Sequence, residues 1–183
     1  MNVINSTIKQ AGTFTIEFSL VGIFLGVLFL FSADIIEKLS MKGKLDRLSY
    51  SATSLVKERT QLYGENYLTS SQDADLVFRV VRDSLTRTTG SFDVARFGMV
   101  LEEQTYASDH SANSLKTLRR GTLACTITAP LSQVENDLTV VTSWGRKATL
   151  YRVTLCYSTE NMVEKVLDNG FAMVSSSAVV VGR

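Results

Sequence analysis

The run Phe18-Ser19-Leu20-Val21-Gly22-Ile23-Phe24-Leu25-Gly26-Val27-Leu28-Phe29-Leu30-Phe31-Ser32-Ala33 decides the fold of this chain. It is the longest uncharged stretch, about 16 residues, or roughly 24 Å as an α-helix. That falls slightly short of a bilayer's hydrocarbon core. Adding Thr13 to Ile16 before it, and Ile35 and Ile36 after it, reaches a spanning length, at the cost of enclosing Glu17 and Asp34. Three readings compete. A helix apolar on every side can be a core helix only if it is wholly buried, and the remainder of a 183-residue chain is barely large enough to wrap it. A secretory signal peptide needs a basic start and a small-x-small cleavage site. The one basic side chain before the run is Lys9, and a cut near Ala33 would put bulky Phe31 where a small residue belongs. A retained membrane helix requires neither feature, and it is the reading the residues favour.

Composition narrows the rest. Apolar residues make up 45% and charged residues 20%, which excludes a disordered tail. The net charge of +1 leaves no electrostatic footprint for nucleic acid. The length suits one domain plus an anchor.

Glu17 sharpens the membrane reading. A carboxylate at the head of a membrane helix is expensive, and its default interpretation is functional, with a partner to be named. It also sits in the first turn, where a helix N-terminus favours negative charge. The bland alternative is an N-terminal cap residue lying among lipid headgroups. The segment Gly12-Thr13-Phe14-Thr15-Ile16-Glu17-Phe18 resembles the type IV prepilin cleavage motif, in which a short leader is cut after Gly and mature residue five is Glu. The Glu17-Phe18 pair is similar to the tight-adherence (Flp) branch. The resemblance implies cleavage between Gly12 and Thr13, and docking of Glu17 against the freed amine of a neighbouring subunit. Physically, an ammonium and a carboxylate brought together in a low-dielectric setting neutralise each other.

Basic residues pull the other way. Lys38, Lys42, Lys44 and Arg47 follow the helix, whereas Lys9 alone precedes it. The positive-inside rule would then leave the C-terminal part in the cytoplasm. Those four residues also read as part of a continuing amphipathic helix. Leu45, Leu48, Ala52, Leu55, Val56, Leu62 and Tyr63 recur at three- and four-residue steps, with Lys57-Glu58-Arg59 as a solvent face. This predicts one helix from about Thr13 to Tyr63, with Gly43 a weak point, or two helices joined near Met41 to Lys44.

Ser70-Ser71-Gln72-Asp73 resembles a capping box and opens a second helix striped by Leu76, Val77, Val80, Val81 and Leu85, ending at Thr88-Thr89-Gly90. From Ser91 the texture is β. Strands are expected at Phe97 to Leu101, Leu123 to Ile127, Leu138 to Ser143, Leu150 to Tyr157 and Phe171 to Val181. Ala107 to Ser114 reads as a loop, Trp144-Gly145-Arg146-Lys147 as a hairpin turn, and Asn161 to Leu167 as a short helix. Glu102 and Glu103 are expected on a solvent face.

The segment Leu150-Tyr151-Arg152-Val153-Thr154-Leu155-Cys156-Tyr157 and the ending Val174-Ser175-Ser176-Ser177-Ala178-Val179-Val180-Val181-Gly182-Arg183 resemble the C-terminal signature of TadF-type minor pseudopilins, and Phe97-Gly98 followed by Glu102-Glu103 fits them. The expected layout is a leader (1–12), a membrane helix half (13–36), its amphipathic continuation (37–68) and an α+β extracytoplasmic head (69–183). In this layout the long helix packs on an antiparallel sheet. The resemblance implies an inner-membrane location and entry into a surface pilus. It also implies partnership with other minor and major pilins, a prepilin peptidase and an assembly platform.

Cys125 and Cys156 are a candidate disulfide in an oxidising compartment, and two inert thiols otherwise. Strict alternation puts Cys125 with Leu123 and Ile127, and Cys156 with Arg152 and Thr154, so a bulge or sheet end is needed for them to meet. His110, in Ser108-Asp109-His110-Ser111, is the one imidazole. Triad members meet in space and rarely as sequence neighbours, and one His with two distant Cys makes no zinc site. No enzyme, cofactor or metal is expected.

Overall fold

The computed structural model describes residues 7–62, 68–159 and 173–182, without side chains for 7–13 and 59–62. Its architecture is α+β: a long N-terminal apolar helix and a four-stranded antiparallel sheet. Helix α1 (Thr7–Leu62) is unbroken over 56 residues, about 84 Å. It passes through Gly43 without interruption, because Met41 and Leu45 on either side of that glycine are buried against the head. The two-helix alternative does not occur. From Phe14 to Leu39 the large apolar side chains point outward. Beyond them Met41, Leu45, Ser49, Ala52, Thr53 and Val56 form the buried stripe, at the spacing of one helix face. Leu48 packs partly against the core and Leu55 is exposed.

Helix α2 (Ser71–Thr88) begins at the expected capping box: Asp73 N–H donates to Ser70 Oγ (3.2 Å) and Ser70 N–H to Asp73 Oδ2 (2.8 Å). Its buried face is Ala74, Val77, Val81 and Leu85, whereas Leu76 and Val80 face outward. Lys44 Nζ donates to Thr88 O (2.8 Å) and ties the end of α2 to α1.

The sheet order is β2-β1-β3-β4, with β1 (Phe97–Gln104), β2 (Lys116–Gly121), β3 (Leu150–Ser158) and β4 (Met173–Val181). One face carries Phe97, Met99 and Leu101 of β1 and Tyr151, Val153, Leu155 and Tyr157 of β3, packed under α1 and α2. Phe78, Phe92 and Phe97 extend this core with ring contacts of 5.4 and 5.8 Å. The opposite face carries Val100 and Cys156 under a strap that holds Leu123, Cys125 and Ile127. Short helix α3 (Leu131–Leu138) continues the strap. Gly98 makes the close approach possible, since a Cβ there would lie 2.1 Å from the Leu123 carbonyl oxygen.

Several expectations are corrected. Leu123 to Ile127 is no strand: it opens on a bend where Leu123 N–H donates to Phe97 O (3.3 Å), and it joins no ladder. The strap crosses the sheet, so alternation along a ladder does not govern where Cys125 points. Leu138 closes α3, and residues 139–147 form a small hairpin with a single bridge, Val141 to Lys147. Its turn is at Trp144-Gly145 as expected, with Gly145 at φ 70° and Gly145 N–H donating to Thr142 O (2.9 Å). Strand β2 and helix α3 were not anticipated. The expected helix at Asn161 to Leu167 and the side chains of Leu62 and Tyr63 lie outside the described residues.

Helix α1 and β4 run in the same direction, since Lys42 meets Ser175 and Thr53 meets Ala178. The end of β1 and the start of β3 therefore lie at the far end of the head from the exposed apolar half of α1.

Candidate functional site

Gly12 and Thr13 lie within the helical backbone of α1. Glu17 is exposed one turn further on and has no ion-pair partner among the described residues. Phe14 and Phe18 flank it with stacked rings 6.4 Å apart, both exposed. The two serines inside the apolar stretch satisfy their hydroxyls on the helix itself: Ser19 Oγ donates to Thr15 O and Ser32 Oγ to Leu28 O, each at 2.8 Å. An apolar helix so satisfied, and bare over its first half, fits membrane anchoring.

Asp34 and Lys38 mark the junction with the head. Asp34 is 2% exposed and pairs with Lys38 one turn later, which offsets the cost of a carboxylate at the end of the apolar half. Two of the basic residues that follow, Lys42 and Lys44, are engaged in the head. Lys42 Nζ reaches Asp46 (3.1 Å) and the Ser175 carbonyl (2.8 Å), and Lys44 holds the end of α2. Ser176 Oγ donates to Asp46 and lies 3.2 Å from Ser49 Oγ, while Thr53 Oγ1 donates to Ala178 O (3.3 Å). Lys42, Asp46, Ser49 and Thr53 thus make a polar seam on α1 that reads the Ser175-Ser176-Ser177 run of β4. The hydrogen bond from Ser176 and the charge of Lys42 hold the Asp46 carboxyl below its usual range.

Cys125 and Cys156 form a disulfide, with Cα atoms 5.6 Å apart. It fastens the strap to β3. A buried ion pair fastens the other end of the strap: Arg152, held against Glu102, donates from Nη1 to Ala129 O (2.8 Å), and Leu131 N–H donates to Glu102 Oε1 (3.1 Å). Glu102 thereby caps α3, whose own N-cap is Pro130. Glu103 faces the helix layer and accepts the Thr69 N–H at 2.9 and 3.2 Å. Burial raises its pKa against the lowering effect of that bond and of Lys116. Both glutamates are 1% exposed, which overturns the expectation of a solvent face.

His110 does not assemble a triad with its neighbours. Asp109 accepts from Ser111 N–H (3.0 Å) and Ser111 Oγ (2.6 Å), which closes a local turn, and His110 Nε2 donates to Gly145 O (2.6 Å). His110 is exposed and braces two loops.

Sequence reasoning found the cysteine pair. It missed the Glu102–Arg152 clasp and the seam. The four-three-four spacing of Lys42, Asp46, Ser49 and Thr53 was the available signal for the seam.

The family model TadF, tight adherence pilin protein F, matches residues 5–183. The chain belongs to the TadF family. A TadF chain is pilin-like and associated with the tight-adherence pilus, which implies a membrane location and contact with other pilus components. Comparison with curated proteins and with solved structures found no match.

Proposed function

We propose that the chain is a minor pilin, cut between Gly12 and Thr13 by a prepilin peptidase. On this reading the stretch 13–36 anchors it in the inner membrane with the head on the extracytoplasmic side, from where it enters or primes a tight-adherence pilus. The observation that carries the reading is the position of Glu17, five residues into the proposed mature chain and exposed at the start of a bare apolar helix that runs without a break into the head. Thr13 would carry the new amine. Glu17 would accept the amine of a neighbouring subunit, with Phe18 and the outward apolar face packing beside it. Other minor and major pilins and the assembly platform are the expected partners. The role is structural: the head supplies packing, and no residue is assigned to catalysis.

Of the basic residues after the helix, which oppose this topology on the positive-inside rule, three have another employment. Lys38, Lys42 and Lys44 each bond to groups of α1 or the head. These three lysines are therefore accounted for without recourse to the cytoplasm, whereas exposed Arg47 has no such bond among the described residues.

The test is the intact mass and N-terminal sequence of the membrane-purified protein, from cells with and without the prepilin peptidase. A chain that starts at Thr13 only when the peptidase is present supports the proposal. A chain that keeps Met1 in both strains overturns it and leaves an unprocessed single-span protein with a partner-binding head. A start just after Ala33 would mean a secreted domain.

A further inference from the structure

The sheet ends on two unlike strands. β2 carries Lys116, Arg119 and Arg120 within six residues. β4 carries no charge and no proline in nine residues. Charges and prolines are what keep an edge strand from pairing with another chain. β2 is therefore guarded against a copy of itself, and β4 is not. Gly182 N–H donates to Thr149 O (2.6 Å). Bonded and non-bonded pairs alternate along an antiparallel ladder, so Ser175, Ser177, Val179 and Val181 turn their backbone groups away from β3. Lys42 Nζ meets Ser175 O on that outer side (2.8 Å). The same alternation, carried through β3 and β1, turns Thr117, Arg119 and Gly121 outward from β2. Among the described residues no strand pairs with either outer side.

Direction decides which edge can meet which. α1 and β4 run the same way, so β1 runs with them and β2 runs against them. Chains anchored in one membrane share the direction of α1, and β4 of one then meets β2 of its neighbour antiparallel. Their heights agree as well. The registers place Gly121, Arg119 and Thr117 level with Ser175, Ser177 and Val179, outward residue against outward residue. The layers also match. α2 lies on β2, where Arg120 Nη2 donates to Ser71 O (3.0 Å), and α1 lies on β3 and β4. Four strands at about 4.8 Å and two helices at about 10 Å both span roughly 20 Å, so neither layer crowds the next copy. A β4-to-β4 contact in one membrane would put the two helix layers on opposite sides of the sheet, and a β2-to-β2 contact would oppose cations. We infer that β4 is the docking edge for β2 of a second copy of this chain, so that the two heads share one continuous sheet. Such a head-to-tail contact is heterologous and repeats from copy to copy. The shared direction comes from the proposed anchor at 13–36, on which the inference rests.

Cross-linking in membranes tests this. Two differently tagged full-length chains, Val179→Cys and Thr117→Cys, are produced together, and the membranes are treated with a short bis-maleimide. The native Cys125–Cys156 pair is bonded and does not react. Within one chain the two positions are three strand spacings apart, about 14 Å, which the reagent is too short to span. The expected product links the two tags. The double variant Val179→Cys/Thr117→Cys gives a ladder of linked chains, and each single variant produced alone gives no dimer. Added to the double variant, Ser177→Arg stands opposite Arg119 of the neighbour and thins the ladder by up to roughly fivefold, whereas Ser177→Glu strengthens it by a similar factor. Ser177 is exposed, and retention of the Cys125–Cys156 bond confirms folding of each variant. Dimers of Val179→Cys alone, adducts formed only with another envelope protein, or no adduct in membranes that hold the chain each overturn the inference. So does a ladder that Ser177→Arg and Ser177→Glu change equally. Failure of the anchor reading is distinguishable, because the chain would then leave the membrane fraction whatever its cross-links.

Discussion

Glu102 and Glu103 are neighbours on a strand buried over its whole length, and they face different layers. Glu102 neutralises Arg152 and caps α3, so removing its carboxylate leaves a cation buried without a counter-charge. Glu102→Ala should cost about 3–5 kcal/mol, measured by urea unfolding. Replacing both partners with Glu102→Gln and Arg152→Met should recover most of that loss, since the neutral amide still accepts the Leu131 N–H. Glu103 differs because burial is the first cause of its shift and raises its pKa above 4.5. The native chain therefore holds this proton more tightly than the unfolded chain does. As pH rises from the unfolded-state value toward the raised native value, the native state binds more protons, and stability falls over that window. Above the native value the loss is complete. Glu103→Gln, whose carbonyl still accepts a bond from Thr69, should flatten that part of the stability profile. An unfolding midpoint that declines as steeply in Glu103→Gln as in the parent would show that another group is responsible.

At the scale of elements, the legible parts were the long or strongly patterned ones. Helix α1, helix α2 and strands β1, β3 and β4 carry periodicity that few alternatives share. Strand β2, six residues with three basic side chains, and α3, eight residues capped from a distant strand, owe their existence to neighbours that the local sequence does not show. The error at Glu102-Glu103 has the same origin. Alternation assigns residues to two faces, and only the strap and the helices together make both faces interior. The strap itself could be read only through Gly98, whose missing side chain lets it settle. Gly98→Ala places a Cβ 2.1 Å from a backbone oxygen, an overpacking that should cost about 1–3 kcal/mol. It should also speed hydrogen exchange across 122–131 while the disulfide stays intact. Gly43→Ala is the contrast: nothing lies within 4 Å of its added Cβ, and the helix should gain up to about 1 kcal/mol.

At the scale of the molecule, the proposed topology makes one rod join two environments, and the redox state of the cysteine pair in cells tests it. The sequence left the charge pattern and the prepilin motif in conflict over topology. The lysines lost much of their weight once Lys42 and Lys44 were seen to bind Ser175 and Thr88. The pairing of Cys125 with Cys156 adds a chemical argument, because such bonds persist in oxidising compartments and are rare in the cytosol. The cysteines are 31 residues apart, and closing a loop of that size contributes about 3–4 kcal/mol when oxidised, so the bond is favoured wherever an oxidant is present. Trapping free thiols with an alkylating reagent in intact cells, then measuring the mass of the purified chain, should show both cysteines unmodified. The same chain expressed in cells that lack the envelope thiol oxidase should carry two alkyl groups and unfold at lower urea. Two alkyl groups in normal cells would place the head in the cytoplasm, and no fibre that projects from the cell surface could then contain it.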